Sequence, residues 1–278
     1  MVLDLSVELI HATVQLEQPL GDGTRTVGTG FLISEKGADG RPRTVLVTAN
    51  HVFQKMPGQM AKIGYRIENA DGSWSYAPQT VRIRDKGGRE MWTHHPSRDV
   101  AAISITAPPE FAKAAIPLNY LASDTTFSDN HVGAGDEMMA LGFPRGLAAN
   151  QAGFPILRSG RVASFPVAPA KIFPTFLLDF SVFPGNSGGP VFMSDQSKRR
   201  SGAQLASDGP GDGFIAGLLT QQVELNNERL EIGIVTHAKY IRETIALIDD
   251  PGAPVTVALA PPVSGARAAS AEEAASPD

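Results

Sequence analysis

The chain has 278 residues, 42% of them apolar and 19% charged, with a formal net charge of −5 and no cysteine. The acidic balance disfavours a protein that tracks nucleic-acid phosphates, and the missing cysteines exclude disulfides, thiolate nucleophiles and Cys-ligated zinc. No stretch approaches the roughly 20 apolar residues of a membrane-spanning helix, and 28 Gly with 21 Pro favour turns over long helices.

The opening segment, "MVLDLSVELIHATVQLE", carries Asp4 and Glu8 but no basic leader and no apolar run of signal-peptide length. As written it predicts a cytoplasmic protein. Period-two patterning between Gly, Pro and Asp turns then predicts strands over Val7–Leu16, Thr26–Ser34, Thr44–Ala49, Val81–Asp85 and Asp99–Thr106. A short helical piece after His51 fits the pattern as well. Beyond a link marked by Pro108, Pro109 and Pro117, further strands are predicted over Glu137–Gly142, Ile156–Ser164, Phe176–Phe180, Gly189–Met193, Phe214–Gln221 and Leu230–Thr236. Helical spacing is convincing only in "AKYIRETIALI", 238–248, which puts Tyr240, Ile241, Ile245 and Ile248 on one face before Asp250-Pro251 ends it. Many short strands without alternating helices predict an all-β sandwich or barrel. The length suits two barrels, 1–115 and 128–237, joined by a linker at 116–127, with a C-terminal helix at 238–249. The tail 250–278 is rich in Ala, Pro and Ser, and the insert 197–213 is similarly polar; both are expected to be disordered or mobile.

"FPGNSGGPVF", 183–192, wraps Ser187 in three glycines. Glycine suits a backbone that must adopt positive φ or approach another group closely, so the amides of Gly185 and Ser187 could face a developing oxyanion. A plain turn would look the same. The letters also satisfy G-x-S-x-G, but Pro190 and "VFM" follow where a nucleophile elbow needs a helix, so that alternative fails on context. A nucleophilic serine needs a base, and the base an orienting acid. His51, in "TVLVTANHVF", follows directly on an apolar strand and is held at its end. Asp99, in "HHPSRDVAAISI", directly precedes another and should be partly buried. His11, His94, His95, His131 and His237 read as structural. Adjacent His94-His95 and the absence of HExxH spacing predict no metal site.

In the order His, Asp, Ser, these residues sit in "TVGTGFLIS" (26–34), "LVTANHVF" (46–53), "HPSRDVAAISI" (95–105), "ALGFPRG" (140–146), "LRSGRVASF" (157–165), "LLDFSVFPGNSGGPVF" (177–192) and "IAGLLTQQ" (215–222). The set resembles the chymotrypsin-like serine proteases, and more narrowly their bacterial HtrA/Deg-type and short trypsin-like branch. The resemblance runs through about residues 5–248. It implies two packed antiparallel six-stranded β-barrels with a site in the cleft between them. It implies Ser187 as nucleophile, His51 as general base and then acid, Asp99 as the orienting carboxylate, and the Gly185 and Ser187 amides as the oxyanion hole. By the same resemblance the Thr220 hydroxyl supports the aspartate and Gln221 borders the peptide-binding edge. Ser181, six residues before the nucleophile, lies at the base of the S1 pocket, and Gly233 on its wall. Without a carboxylate at Ser181, with Phe180 and Leu219 nearby, the implied preference is a small-to-medium apolar P1 residue. The loop 142–157 borders the site in relatives and is expected to gate it.

The implied function is a serine endopeptidase acting on polypeptides without metal or cofactor, with no nucleic-acid or membrane partner. The alternative is a latent or inactive module that keeps the fold and binds peptides. Asn50 stands where the family commonly has alanine, and its side chain is expected to face away. Only 28 residues follow Asp250, too few for the PDZ module that HtrA proteins carry.

Overall fold

Two long apolar runs organise the first sheet. In β2 (Arg25–Lys36) and β3 (Pro42–Thr48), consecutive residues Phe31, Leu32, Ile33 and Val45, Leu46, Val47 are all buried, so both faces of these strands are covered. The computed structural model describes residues 4–194, 213–225 and 228–250. The expected mobile insert and the expected tail lie outside the described residues, apart from their edge residues Gly213 and Asp250.

Around that pair the sheet extends through β1 (Thr13–Pro19), β4 (Met60–Gly64), β7 (Gln79–Arg82), β8 (Thr93–His94) and β9 (Ala101–Ile105), in the order β7-β4-β1-β2-β3-β9-β8. The two-residue strand β10 (Ile116–Pro117) adds to β2 in parallel. β5 (Arg66–Glu68) and β6 (Trp74–Tyr76) form a separate hairpin. The second sheet is a closed antiparallel barrel of six strands: β11 (Glu137–Gly142), β12 (Ile156–Val162), β13 (Thr175–Asp179), β14 (Pro190–Ser194), β15 (Gly213–Leu225) and β16 (Glu228–His237). The molecule is thus all-β, with a half-barrel sheet, a closed barrel and a short C-terminal helix. One contiguous core runs through both sheets.

The first element departs from the strand expected over Val7–Leu16. Residues Leu5–Ala12 form helix α1, and β1 starts only at Thr13. The Asp4 side chain accepts a hydrogen bond from the Ser6 amide at 3.0 Å, capping the helix start. Leu5, Leu9 and Ala12 are buried on one face, and their spacing of four and three outweighs the alternation that "VELIHATVQL" also carries. Among the described residues four further α-helices follow: α2 (Asn50–Gln54), α3 (Pro109–Ala114), α4 (Thr126–Asp129) and α5 (Ala238–Asp249). α5 buries Tyr240, Ile241, Thr244 and Ile245, and ends at Asp250. No described helix is long and apolar enough to cross a membrane.

Candidate active site

β3 ends at Thr48, Ala49 caps the next turn, and α2 starts at Asn50, so His51 is fixed in the first turn of a helix. Asn50 does face away, as its Oδ1 accepts from the Trp92 indole at 2.8 Å. Asp99 sits just before β9, in a turn closed by the His95 amide donating to the Val100 carbonyl. Because β3 and β9 are paired antiparallel neighbours, the end of one strand lies beside the start of the other. Asp99 Oδ1 accepts from the His51 amide at 2.9 Å, and Oδ2 lies 2.6 Å from His51 Nδ1. A carboxylate can only accept here, so Nδ1 carries the proton and Nε2 presents its lone pair. Both side chains keep about a quarter of their surface open, 23% for His51 and 27% for Asp99.

Ser187 lies between β13 and β14, in two consecutive tight turns. The Asn186 amide donates to the Phe183 carbonyl and the Gly189 amide to the Asn186 carbonyl. The third residue of each turn, Gly185 (φ +97°) and Gly188 (φ +91°), has the positive φ of a type II turn. A Cβ on Gly185 would stand 2.3 Å from the Phe143 carbonyl oxygen, and one on Gly188 2.0 Å from that of Thr29. Both glycines are therefore required by contact as well as by dihedral angle.

These turns orient the peptide planes. The Pro184 carbonyl accepts from the Arg145 amide at 2.5 Å and the Asn186 carbonyl from Gly189 at 3.1 Å. In a trans peptide the N–H points opposite to the C=O, so the Gly185 and Ser187 amides turn to the other side of the loop. Neither donates to an acceptor among the described residues. The Ser187 hydroxyl donates to the Thr220 carbonyl at 3.0 Å rather than to His51. The loop also packs on the His51 element: the space beside Gly188 is bounded by Thr48 Oγ1 at 2.2 Å and the Ala49 amide at 3.0 Å.

The remaining predicted residues are placed as follows. Thr220 sits at a bulge of β15, between the pairs Leu219–Val235 and Gln221–Ile234. Its hydroxyl donates to the Ile234 carbonyl at 3.2 Å, not to Asp99, so the expected support of the aspartate is not made. The bulge turns the backbone carbonyl of Thr220, instead of its side chain, towards the site. Gln221 pairs with Ile234 through the backbone; its side chain lies outside the described residues. The Ser181 carbonyl accepts from the Arg158 guanidinium. Gly233 abuts Val182, Leu219 and Phe180, each 3.0–3.1 Å from where its Cβ would be. These three line an apolar wall beside Ser181.

Several contributors lie inside the quoted segments or near them without being singled out by sequence. Arg158 stacks over Phe180 and Phe183, 5.3 and 5.5 Å from their ring centres, and burial holds its pKa below the usual arginine value. Arg145 covers Phe183 at 5.6 Å. The loop 142–157 is tied down by Gln15 Nε2 donating to the Gly146 carbonyl at 3.0 Å and by Arg66 donating to Gly153 at 3.1 Å. Thr29 is fully buried and bonded to the serine loop. Its only trace in the sequence is a polar residue between two glycines in an apolar strand. Among the described residues no three His, Asp or Glu side chains gather as metal ligands.

A family model for the trypsin-like peptidase domain matches residues 28–198, more than half of the chain. No curated protein matches it in sequence. Among solved structures it is similar to the HtrA-type protease AlgW, in a serine-to-alanine variant with a tripeptide, at 16% identity and a TM-score of 0.52 over 90% of this chain. A second structure of AlgW with a tripeptide gives 16% identity and a TM-score of 0.51 over 88%. The chain spans 64% of the length of each. At that identity the likeness establishes the fold.

Proposed function

The chain belongs to the trypsin-like peptidase family, and from that premise we propose that it is a serine endopeptidase working through Ser187, His51 and Asp99. The observation that supports this reading is a pair of neighbouring arrangements. A histidine is held in one tautomer by a carboxylate, next to a serine loop with two unengaged amides. A fixed Nδ1–H leaves Nε2 free to take the serine proton, and the amides stand ready for the negative charge that develops on the attacked carbonyl. Ser187 would form an acyl-enzyme and release the amine with the proton returned by His51; water would then complete hydrolysis by the reverse transfers. The groups that this chain would supply to each step are its own side chains and backbone.

The substrate would be an extended polypeptide laid along the backbone near Thr220 and Gln221, adding main-chain hydrogen bonds. Phe180, Val182 and Leu219 around Gly233 favour a small-to-medium apolar P1 side chain. A second reading, a latent module, is favoured by one contact. The Ser187 hydroxyl rests on the Thr220 carbonyl and must leave it to give its proton to Nε2. Casein digestion with mass-spectrometric mapping of the cut sites separates the two readings. Wild type should cleave after apolar residues, and Ser187→Ala should lower kcat by about 10⁶. Cleavage that persists unchanged in Ser187→Ala contradicts the assignment.

A further inference from the structure

We infer that Thr29, from the first sheet, is a positioning residue for the oxyanion loop, acting through its hydroxyl. The inference rests on the protease reading of the Ser187 loop and concerns what holds that loop in shape. Thr29 is fully buried in β2, with 0% exposure. Its amide donates to the Ser187 carbonyl at 2.9 Å, and its hydroxyl donates to the Gly185 carbonyl at 2.6 Å. One residue therefore grips the carbonyls of the two residues whose amides are unengaged.

Four successive peptides of the loop then have fixed carbonyls. Arg145 holds that of Pro184, Thr29 that of Gly185, Gly189 that of Asn186, and Thr29 again that of Ser187. The Thr29 hydroxyl also accepts from the Phe143 amide at 3.1 Å. Phe143 lies two residues before Arg145, so the hydroxyl joins the Gly185 peptide directly to the segment that holds the Pro184 peptide. The Thr29 carbonyl in turn accepts from the Thr48 hydroxyl at 2.7 Å, three residues before His51. A hydroxyl suits this junction because it can donate and accept at once, and the branched threonine side chain has few rotamers to lose.

Without the hydroxyl, the Gly185 carbonyl and the Phe143 amide lose a shared partner in a buried place. The 185–186 peptide then loses its anchor, and so does the 143–145 segment that holds the Pro184 carbonyl; a shift of that segment lets the 184–185 peptide turn and withdraw the Gly185 amide from the developing charge. The ground-state substrate contacts along β15 do not involve Thr29. The loss should fall on kcat, leaving KM alone.

The test uses the full chain and a peptide p-nitroanilide taken from the best casein cut of the wild type, with Thr29→Val, Thr29→Cys and Thr29→Ser. Loss of one oxyanion donor costs about 10²–10³ in kcat. Thr29→Val is expected to lose about 10² in kcat with KM within twofold. Thr29→Ser should restore kcat to within about threefold of wild type, and Thr29→Cys, a weak donor of similar size, should fall between. Should Thr29→Val not fold, the Ser and Cys variants decide alone. Equal kcat in Cys, Ser and wild type overturns the inference, as does a Val variant of unchanged kcat or one altered only in KM. A wild type that cleaves nothing and binds no fluorophosphonate overturns the protease reading, and this inference with it.

Discussion

Asp99 spends both oxygens on one residue, His51, one on its amide and one on its ring. In the proposed protease its task is to fix a tautomer and an orientation. Asp99→Asn keeps the shape but can present an N–H to Nδ1, which moves the ring proton to Nε2 and removes the base. Loss of about 10⁴ in kcat at neutral pH is expected, with the amide of His51 still anchored; steady-state kinetics on a p-nitroanilide peptide measure it, and a loss below tenfold contradicts the assigned role. At this scale the residues proposed for the site stand out in the sequence, because His51, Asp99 and Ser187 each abut an apolar strand or a glycine cluster. It did not reveal Thr29 or Arg158. Their partners are backbone carbonyls more than 20 positions away, and a carbonyl leaves no mark in a sequence. Thr220 was assigned through its hydroxyl, whereas a bulge brings its carbonyl to the site.

Among elements, the strands of the second barrel were readable from alternation, as in β13, where Phe176 and Leu178 are buried between less buried neighbours. β11 runs over the expected Glu137–Gly142. α1 was read as a strand because eight residues of mixed apolar pattern satisfy period two and period 3.6 together, and only the Asp4 cap and the contacts of Leu5 and Leu9 decide between them. The other unforeseen element-scale feature is Arg66. It is fully buried, and its guanidinium donates to the carbonyls of Ile10, His11 and Thr13 at the end of α1 and to Gly153 in the loop beside the site. The rings of Phe111 and Phe154 lie 5.6 and 4.8 Å away. Burial lowers its pKa to about 10, which leaves it charged at neutral pH. Arg66→Met keeps the apolar stem but strips the carbonyls of their donor. A loss of about 3 kcal/mol in unfolding free energy is expected, read from urea titration; a variant as stable as wild type would show that the carbonyls find other partners.

For the whole molecule, the barrel interior sets an acid limit. His237 stands at the N-cap of α5 with its ring against Phe127 and Phe176, at 4.6 and 5.0 Å. Burial lowers its pKa from 6.5 to about 4, only partly opposed by a bond to the Val167 backbone. Between those values the unfolded chain takes up a proton that the folded chain refuses. Stability from this group is full above pH 6.5, falls as the pH drops towards 4, and loses nothing more below that. The span corresponds to about 3 kcal/mol. Burial lowers the pKa of His95 and His11 as well, and adds in the same direction. Urea midpoints should therefore decline from pH 7 to pH 4.5 and decline less in His237→Leu; parallel curves for the two proteins contradict the assignment. The two-layer all-β plan was readable from strand spacing, yet the first sheet has eight strands and the second six. The count of eight includes β8 and β10, two residues each, which are too short to carry a period.

The central claim is that Ser187 is a nucleophile activated by His51 beside amides already turned to receive an oxyanion. Intact-protein mass spectrometry after treatment with a fluorophosphonate tests it most directly, because the reagent forms its bond only with an activated serine. The account predicts one adduct per chain on wild type, mapped to Ser187 and abolished in both Ser187→Ala and His51→Ala. An unmodified wild type, or an adduct that survives in Ser187→Ala, would contradict it.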